Sequence, residues 1–452
     1  MRLTIFLFIL TFSNAHAGAQ RTTMPGEASP WLQSFDSLTV EQAIATALQN
    51  NFEIQLSRND SAIAAIDYSY RNAALLPQLN ANTSLLYNNN NQNVTLADGT
   101  KRNRSGLKSN NTAATIGLNW VVFDGLRMFA TREKAGELVR FGNLVVKDQI
   151  NNTVADVVSN YYGIVRATLQ LRVIEEQIVL NEDRYRLAKY RFDVGVGVKP
   201  DMLQAQIDLN AQKAARLVQL ATIEQTKQNL NRLLNLVPDV QYKVSDTIPV
   251  QLDLTLSGLQ SGLEETNTQL RVAQKNIDIA GLTLQEYKAD RWPVISLTSA
   301  YNFSKADNNS VINPAQPLSS LNKGFNYGVT ASVPIFNRFN TRRLIRQATW
   351  SITYQQTVYN NQRAIVSTGL YNAYTNYQLQ KDVVVLEDSN IVLTKENMFI
   401  ARERYRLAAT TFLELREAER SLQEAYDRLI TARYNMKVAE TELLRLKGSF
   451  VR

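Results

Sequence analysis

The chain has no cysteine among its 452 residues. Disulfides, thiolate metal sites, cysteine nucleophiles and a lipidated cysteine are therefore excluded. It has one histidine, His16, inside a segment that reads as a leader. A mature chain without it has no Ser-His-Asp chemistry and few ligands for a transition metal. Carboxylate catalysis and Mg²⁺ binding stay formally open, but no motif argues for either. Neither an enzyme nor a cofactor is implied. No run of about 18 apolar residues occurs, so no membrane-spanning helix is expected. The net charge is +8. Lys and Arg are spread over every helix rather than massed, which reads as a solvated surface and not as a nucleic-acid face.

Residues 1–17 carry a positive start at Arg2, an apolar run from Leu3 to Phe12 and a small-x-small site at Ala15-His16-Ala17. This is the pattern of a secretory signal peptide. An exported chain without a membrane helix is either soluble or a β-barrel.

Proline and glycine are scarce, 10 and 18 in all, and long stretches lack both. Arg338 to Arg404 has no proline and one glycine, Gly369, with Ile345, Ala348, Ile352, Val366, Leu370, Tyr374 and Tyr377 at helical spacing. At 1.5 Å per residue such a rod reaches roughly 100 Å. A second rod is expected from about Gly125 to Phe192. Each long helix is followed by a turn and another helix. Gly195-Val196-Gly197-Val198-Lys199-Pro200 makes the first turn, and its glycine spacing is wrong for a phosphate loop.

Before each rod the period switches to two. Residues 78–88 and 113–123, then 294–304 and 325–336, alternate apolar with Asn, Ser, Thr or Gly. Ile116, Leu118 and Trp120 fall on one face, as do Tyr327, Val329 and Val333, with Ile335 at the end of that run. About ten residues is the length of a tilted membrane strand. Asn88 to Asn111 and Lys305 to Lys323 read as polar loops. Thr39 with Gln42 reads as a capping box that opens a helix continuing to Leu76 and ended by Pro77.

The order helix–strand–strand–long helix–helix occurs twice. Residues 18–237 make a first structural repeat and 263–452 a second. Residues 238–262 make a connector with one short strand. Phe123 to Phe336 and Arg191 to Arg404 are both 213 positions apart. The expected fold class is mainly α with a membrane β-barrel portion. Four strands with one apolar face cannot close a barrel, and an open sheet in lipid leaves edges unpaired. The barrel must then be shared among subunits.

Several segments, in this order, resemble the TolC-like outer-membrane efflux family. Leu38 to Ala43 with Ala47 to Asn51 is similar to its opening helix. Leu76-Pro77 and Trp292-Pro293 are similar to its helix-to-strand joints, and Val122 to Gly125 and Pro334 to Asn337 to its strand-to-helix joints. Phe192 to Gly195 through Asp201 to Gln206 is similar to its helical tip. The resemblance implies a homotrimer with a twelve-stranded barrel in the outer membrane of a Gram-negative bacterium and a long α-helical periplasmic tunnel. It implies a passive exit duct for efflux or type I secretion, docked by a periplasmic adaptor and driven by an inner-membrane pump. With Gly195 and Ala408 aligned as the tip residues, the family's closing Asp and Tyr map to Asp201 and Tyr405, and its Arg falls on Thr410. Its entrance carboxylates map to Glu414 and Glu417. The tip turns at Gly195, Gly197, Ala408 and Thr410 are the implied adaptor contacts. Two other classes stay open: an adhesive surface protein using Asn88 to Asn111, and an envelope scaffold without a pore.

Overall fold

The computed structural model describes residues 36–450 apart from 98, 239, 251–252, 314–315 and 408. The leader at 1–17 and the tip residue Ala408 lie outside the described residues. The elements are α1 Val40–Asn50, α2 Phe52–Ser69, β1 Gln78–Thr95, β2 Lys101–Phe123, α3 Arg127–Asp193, α4 Lys199–Leu234, α5 Leu256–Gln260, α6 Leu263–Thr266, α7 Thr268–Ala289, β3 Val294–Asn308, β4 Ser319–Ser332, α8 Asn340–Arg406 and α9 Phe412–Lys447.

Two rods set the scale. α3 and α8 are 67 residues each, about 100 Å of helix. Toward the sheet, the helices lie side by side as α2–α3–α7–α8; at the far end the pairs are α4–α3, α3–α9 and α9–α8. α4 and α9 are 36 residues each. The starts of α3 and α8, residues 127 and 340, and of α4 and α9, residues 199 and 412, are again 213 positions apart. Where the bundle is thickest, Val157, Tyr161, Ile164, Leu230 and Leu234 form one core, and Leu370, Tyr377, Met436 and Leu443 form another.

The four strands form one antiparallel sheet in chain order. Pairing sets Ala81, Ile116, Tyr301 and Phe325 in one row and Trp120, Leu297 and Val329 in a parallel row on the same face. Asn80, Gly117, Ala300 and Asn326 fill a row on the other face. β1 and β4 each keep one edge unpaired within the chain.

The strands overrun the expected limits. β1 continues to Thr95 and β2 starts at Lys101, so the expected loop Asn88 to Asn111 is mostly paired strand. Asn89 faces Lys108 and Asn93 faces Asn103. Likewise β3 runs to Asn308 and β4 starts at Ser319. The backbone ladder needs no apolar side chain, so alternation in the sequence marks only part of each hairpin. β4 stops at Ser332 rather than Phe336, because Pro334 has no N–H to donate.

The opening helix is also not continuous to Leu76. The Thr39–Gln42 capping box forms, but the chain breaks at Asn51 and the second piece, α2, ends at Ser69. The Asn51 carboxamide accepts from the Glu53 and Ile54 N–H groups and donates to the Leu233 carbonyl at 3.0 Å. Asn267 does the same at α7, accepting from Leu270 N–H and donating to the Leu446 carbonyl. Both side chains are buried. Asn51→Ala removes a cap and orphans a buried carbonyl. It should cost about 2 kcal/mol, read as a lower guanidinium midpoint. A midpoint matching the parent's would show that the break is held by something else.

Among the described residues of the connector, which leave out 239 and 251–252, no strand forms, and Lys243 makes one parallel bridge with Ser37. The Tyr161 hydroxyl clamps it, donating to the Leu38 carbonyl and accepting from Ser245 N–H. The strand-to-helix joints use two consecutive residues of positive φ: Gly125 and Leu126, then Arg338 and Phe339. At Gly125 a Cβ would lie 2.4 Å from the Ala289 carbonyl oxygen, so this glycine is fixed by close approach as well as by φ.

Candidate functional site

The end of the rods opposite the sheet gathers the residues singled out in the sequence. At the first tip, the Val196 and Gly197 N–H groups bond the Arg191 carbonyl at 3.0 and 2.8 Å. Gly195 supplies φ +79°, and a Cβ on Gly197 would meet the Arg191 Cβ at 2.9 Å. Both glycines are therefore turn chemistry. At the second tip, Ala409 N–H bonds the Arg404 carbonyl, and Thr411 caps α9 by accepting from Glu414 N–H. The Thr410 hydroxyl bonds the Glu414 carboxylate.

Tyr405 is buried at the end of α8. The Arg191 guanidinium stands 4.7 Å from its ring centre and donates to the Tyr405 carbonyl at 3.2 Å. Burial raises the phenol pKa; Arg191 opposes the rise and the Asp201 charge adds to it. Asp201 thus lies within electrostatic reach of Tyr405, but no hydrogen bond joins them among the described residues. Arg191 thus places a cation beside Tyr405, a contact that the sequence reading did not single out.

Glu414 and Glu417 are exposed, three residues apart at the start of α9. The buried face of that helix carries Leu415, Ala418, Glu419 and Leu422. Thus the two acids stand off the packed side, free to meet solvent.

Just behind the tip lies an ionic cluster that the sequence reading missed. Arg184 is buried on α3 and pairs with Asp208 of α4 at 2.8 Å and Glu419 of α9 at 2.6 Å. It also donates to the Asn181 side chain and lies over the Phe412 ring. Asp208 has a second cation, Arg416, at 3.2 Å. Burial raises the Glu419 pKa, with Arg184 pulling it back. Between this cluster and Tyr405 is a cavity of 330 Å³ lined by Leu180, Leu187, Met398 and Leu415. A signal was present: Gln177, Asn181, Arg184 and Ala188 share a buried stripe at helical spacing. Polar identities had disguised it.

Among the described residues no cluster of acids or histidines could hold a metal ion, and no helix is long and apolar enough to cross a membrane.

A sequence model described as outer membrane efflux protein matches residues 43–236 and 259–449. The cation efflux system protein CusC of Escherichia coli is 24% identical over 435 residues, covering 92% of this chain and 88% of that protein. The fold is similar to that of the outer-membrane channel OprN, at TM-score 0.75 and 19% identity over 93% of this chain and 94% of the other. It is also similar to the Campylobacter jejuni CmeC outer membrane channel, at TM-score 0.75 and 15% identity over 92% and 89%. With that model matched over residues 43–236 and 259–449, this chain of two long rods, one four-stranded sheet and two helical tips belongs to the outer membrane efflux protein family.

Proposed function

We propose that the protein is the exit duct of a tripartite efflux or type I secretion system. It receives cargo from an inner-membrane transporter through a periplasmic adaptor. The observation that carries this reading is the amphipathic four-stranded sheet with two open edges, mounted on helices about 100 Å long. Edges in lipid must be paired. Three copies supply twelve strands in a closed barrel, and their helices a tunnel below it. In this reading the chain is two repeats, 18–237 and 263–452, around the 238–262 connector. The apolar rows meet lipid and the Asn, Gly and Thr rows line the lumen. The tip turns at Gly195, Gly197, Ala408 and Thr410 meet the adaptor.

The tips form the closed end, with Asp201 and Tyr405 in the contact and Glu414 and Glu417 on the exposed side of α9. Three copies of those two acids give six carboxylates around one entrance, an acidic ring that favours cations. Planar-bilayer recording tests both levels. The protein should conduct, with a reversal potential favouring cations and a block by multivalent cations from the tip side. Ala at both Glu414 and Glu417 should move the reversal potential toward zero and weaken the block. Tyr405→Phe should raise resting conductance without changing selectivity. Absence of any conductance would favour an envelope scaffold. Conductance with unchanged selectivity in the double variant would leave the duct and remove the ring.

A further inference from the structure

The two strand-to-helix joints are equivalent in position but not in charge. Residues 124–134 carry the cations Arg127, Arg132 and Lys134 and the acids Asp124 and Glu133. Residues 337–347, 213 positions later, carry Arg338, Arg342, Arg343 and Arg346 and no acid. At the first joint the charges are met. The Asp124 carboxylate accepts from Met128 N–H at 3.0 Å, Arg127 pairs with Asp290 and Lys134 with Glu286. At the second, Asn337 stands in the place of Asp124, and its amide donates to the Thr341 hydroxyl. No side chain caps α8, and no acid lies in its first turn. Cations here oppose the helix dipole, and an uncapped helix start attracts anions. Within the chain, and among the described residues, neither the helix start nor the arginines have a carboxylate partner.

The position of the joint points to the source of the anion. β4 ends at Ser332. Directly beyond it, Ile335, Phe336 and Phe339 are 95%, 71% and 65% exposed, and the two phenylalanine rings meet edge to face at 5.3 Å. Exposed aromatic side chains at the end of a membrane strand suit headgroup depth. Arg343 is tied to the Asn340 and Gln347 side chains at 2.7 and 2.8 Å. Arg338, Arg342 and Arg346 follow one another at four-residue spacing and are exposed, which sets Arg342 and Arg346 one turn apart on one side of α8. With Phe339 and Trp350 those two line an open cavity of 650 Å³. Arg342 stands three heptads before Arg363, a drift of about 60° on a straight helix. Arg363 pairs with Glu264 of α6 at 2.7 Å. α6 is an extra segment laid on the wall of long helices. In a conducting tunnel such a segment lies outside, so this side of α8 looks outward.

We propose that Arg338, Arg342 and Arg346 hold the phosphate of an anionic phospholipid in the periplasmic leaflet, against the start of α8, with Phe336 and Phe339 at the base of its acyl chains. It rests on the barrel reading above and adds a lipid ligand to it. Guanidinium forks match phosphate oxygens two at a time. Long arginine side chains reach from a helix surface to the headgroups. Each arginine at an anionic membrane surface strengthens binding roughly fivefold. The first joint, whose acids repel phosphate, offers no such site.

Native mass spectrometry of the delipidated protein, in non-ionic detergent with equal amounts of phosphatidylglycerol and phosphatidylethanolamine, reads the site. The parent should retain phosphatidylglycerol in preference. Arg342→Gln with Arg346→Gln should lower that preference roughly 25-fold. Arg127→Gln with Arg132→Gln, which removes the same charge at the first joint, should leave it as in the parent. Equal loss in both variants would mean attraction by net charge alone, and no loss in either would mean a site elsewhere; each overturns the assignment. Displacement of the lipid by millimolar inorganic phosphate would make this a site for a free anion and overturn the lipid. A reversal potential shifted toward cations by Arg342→Gln with Arg346→Gln, with the lipid preference kept, would place the arginines in the lumen. Planar-bilayer recording of the parent separates the two levels. A conducting protein without the preference loses only this site. A protein that neither inserts nor conducts loses the barrel reading and the site with it.

Discussion

Arg184→Met should destabilise the tip by about 3–5 kcal/mol at neutral pH. The arginine side chain is 3% exposed and sits between two carboxylates. Methionine fills much of the same volume, so the loss is electrostatic rather than a cavity. Asp208 keeps Arg416 as a partner; Glu419 keeps no ion pair among the described residues. Its pKa, already raised by burial, must rise further once the guanidinium that lowers it is gone. The sign follows from linkage. A carboxyl with a raised folded-state pKa binds its proton more readily when folded, so it favours folding at low pH and loses that contribution as pH rises through the folded value. The deficit of the variant should therefore shrink on acidification. Adding Glu419→Gln should recover most of the loss at neutral pH, because a neutral amide costs far less to bury. Guanidinium unfolding across pH, with tryptic cleavage at the tips as a local probe, measures both effects. A pH-independent deficit under about 0.5 kcal/mol would mean that the cluster is solvated in the folded protein.

Val329→Arg should cost about 2–4 kcal/mol in bilayer-embedded protein, whereas Thr330→Arg should be tolerated. Val329 shares a face with Leu297 and Trp120; Thr330 pairs with Ser296 on the opposite face. In the proposed barrel, one position presents its side chain to hydrocarbon and the next to the aqueous lumen. Unfolding in lipid vesicles reads the difference. Equal tolerance at the two sites would place the sheet outside the membrane, whereas a cost at Thr330 alone would reverse its faces.

Much of this architecture is legible in the sequence because two periods carry it. The change from 3.6 to 2 at Pro77 and Pro293 locates β1 and β3, and the long rods follow from missing breakers. Limits are legible only where chemistry forces them. Pro334 ends β4, but nothing in the Asn-rich run 88–93 says whether both faces are polar because the chain is a loop or because the hairpin leaves the apolar layer. Asn51 looks like one more helical residue until Leu233 is placed beside it. At the site, turn glycines and first-turn acids are readable as local features. Arg191 beside Tyr405 and Arg184 between Asp208 and Glu419 are not, because their partners come from other helices and a charge on a long helix ordinarily faces water.

The equal lengths of α3 and α8 restrict how this protein can change in evolution. Both helices start at the sheet and end at the tips, so an insertion in one alone would leave the two tips at different heights. Four extra residues would add about 6 Å and turn everything beyond them by about 40° relative to the helix before. Seven would almost restore the phase of the seam that runs through Ala130, Glu137, Leu144 and Asn151, but not the height. Viable length variants should therefore carry matched insertions in both helices, in sevens, with a compensating change in each shorter neighbour. The double rod acts as a ruler read twice, and the two readings must agree.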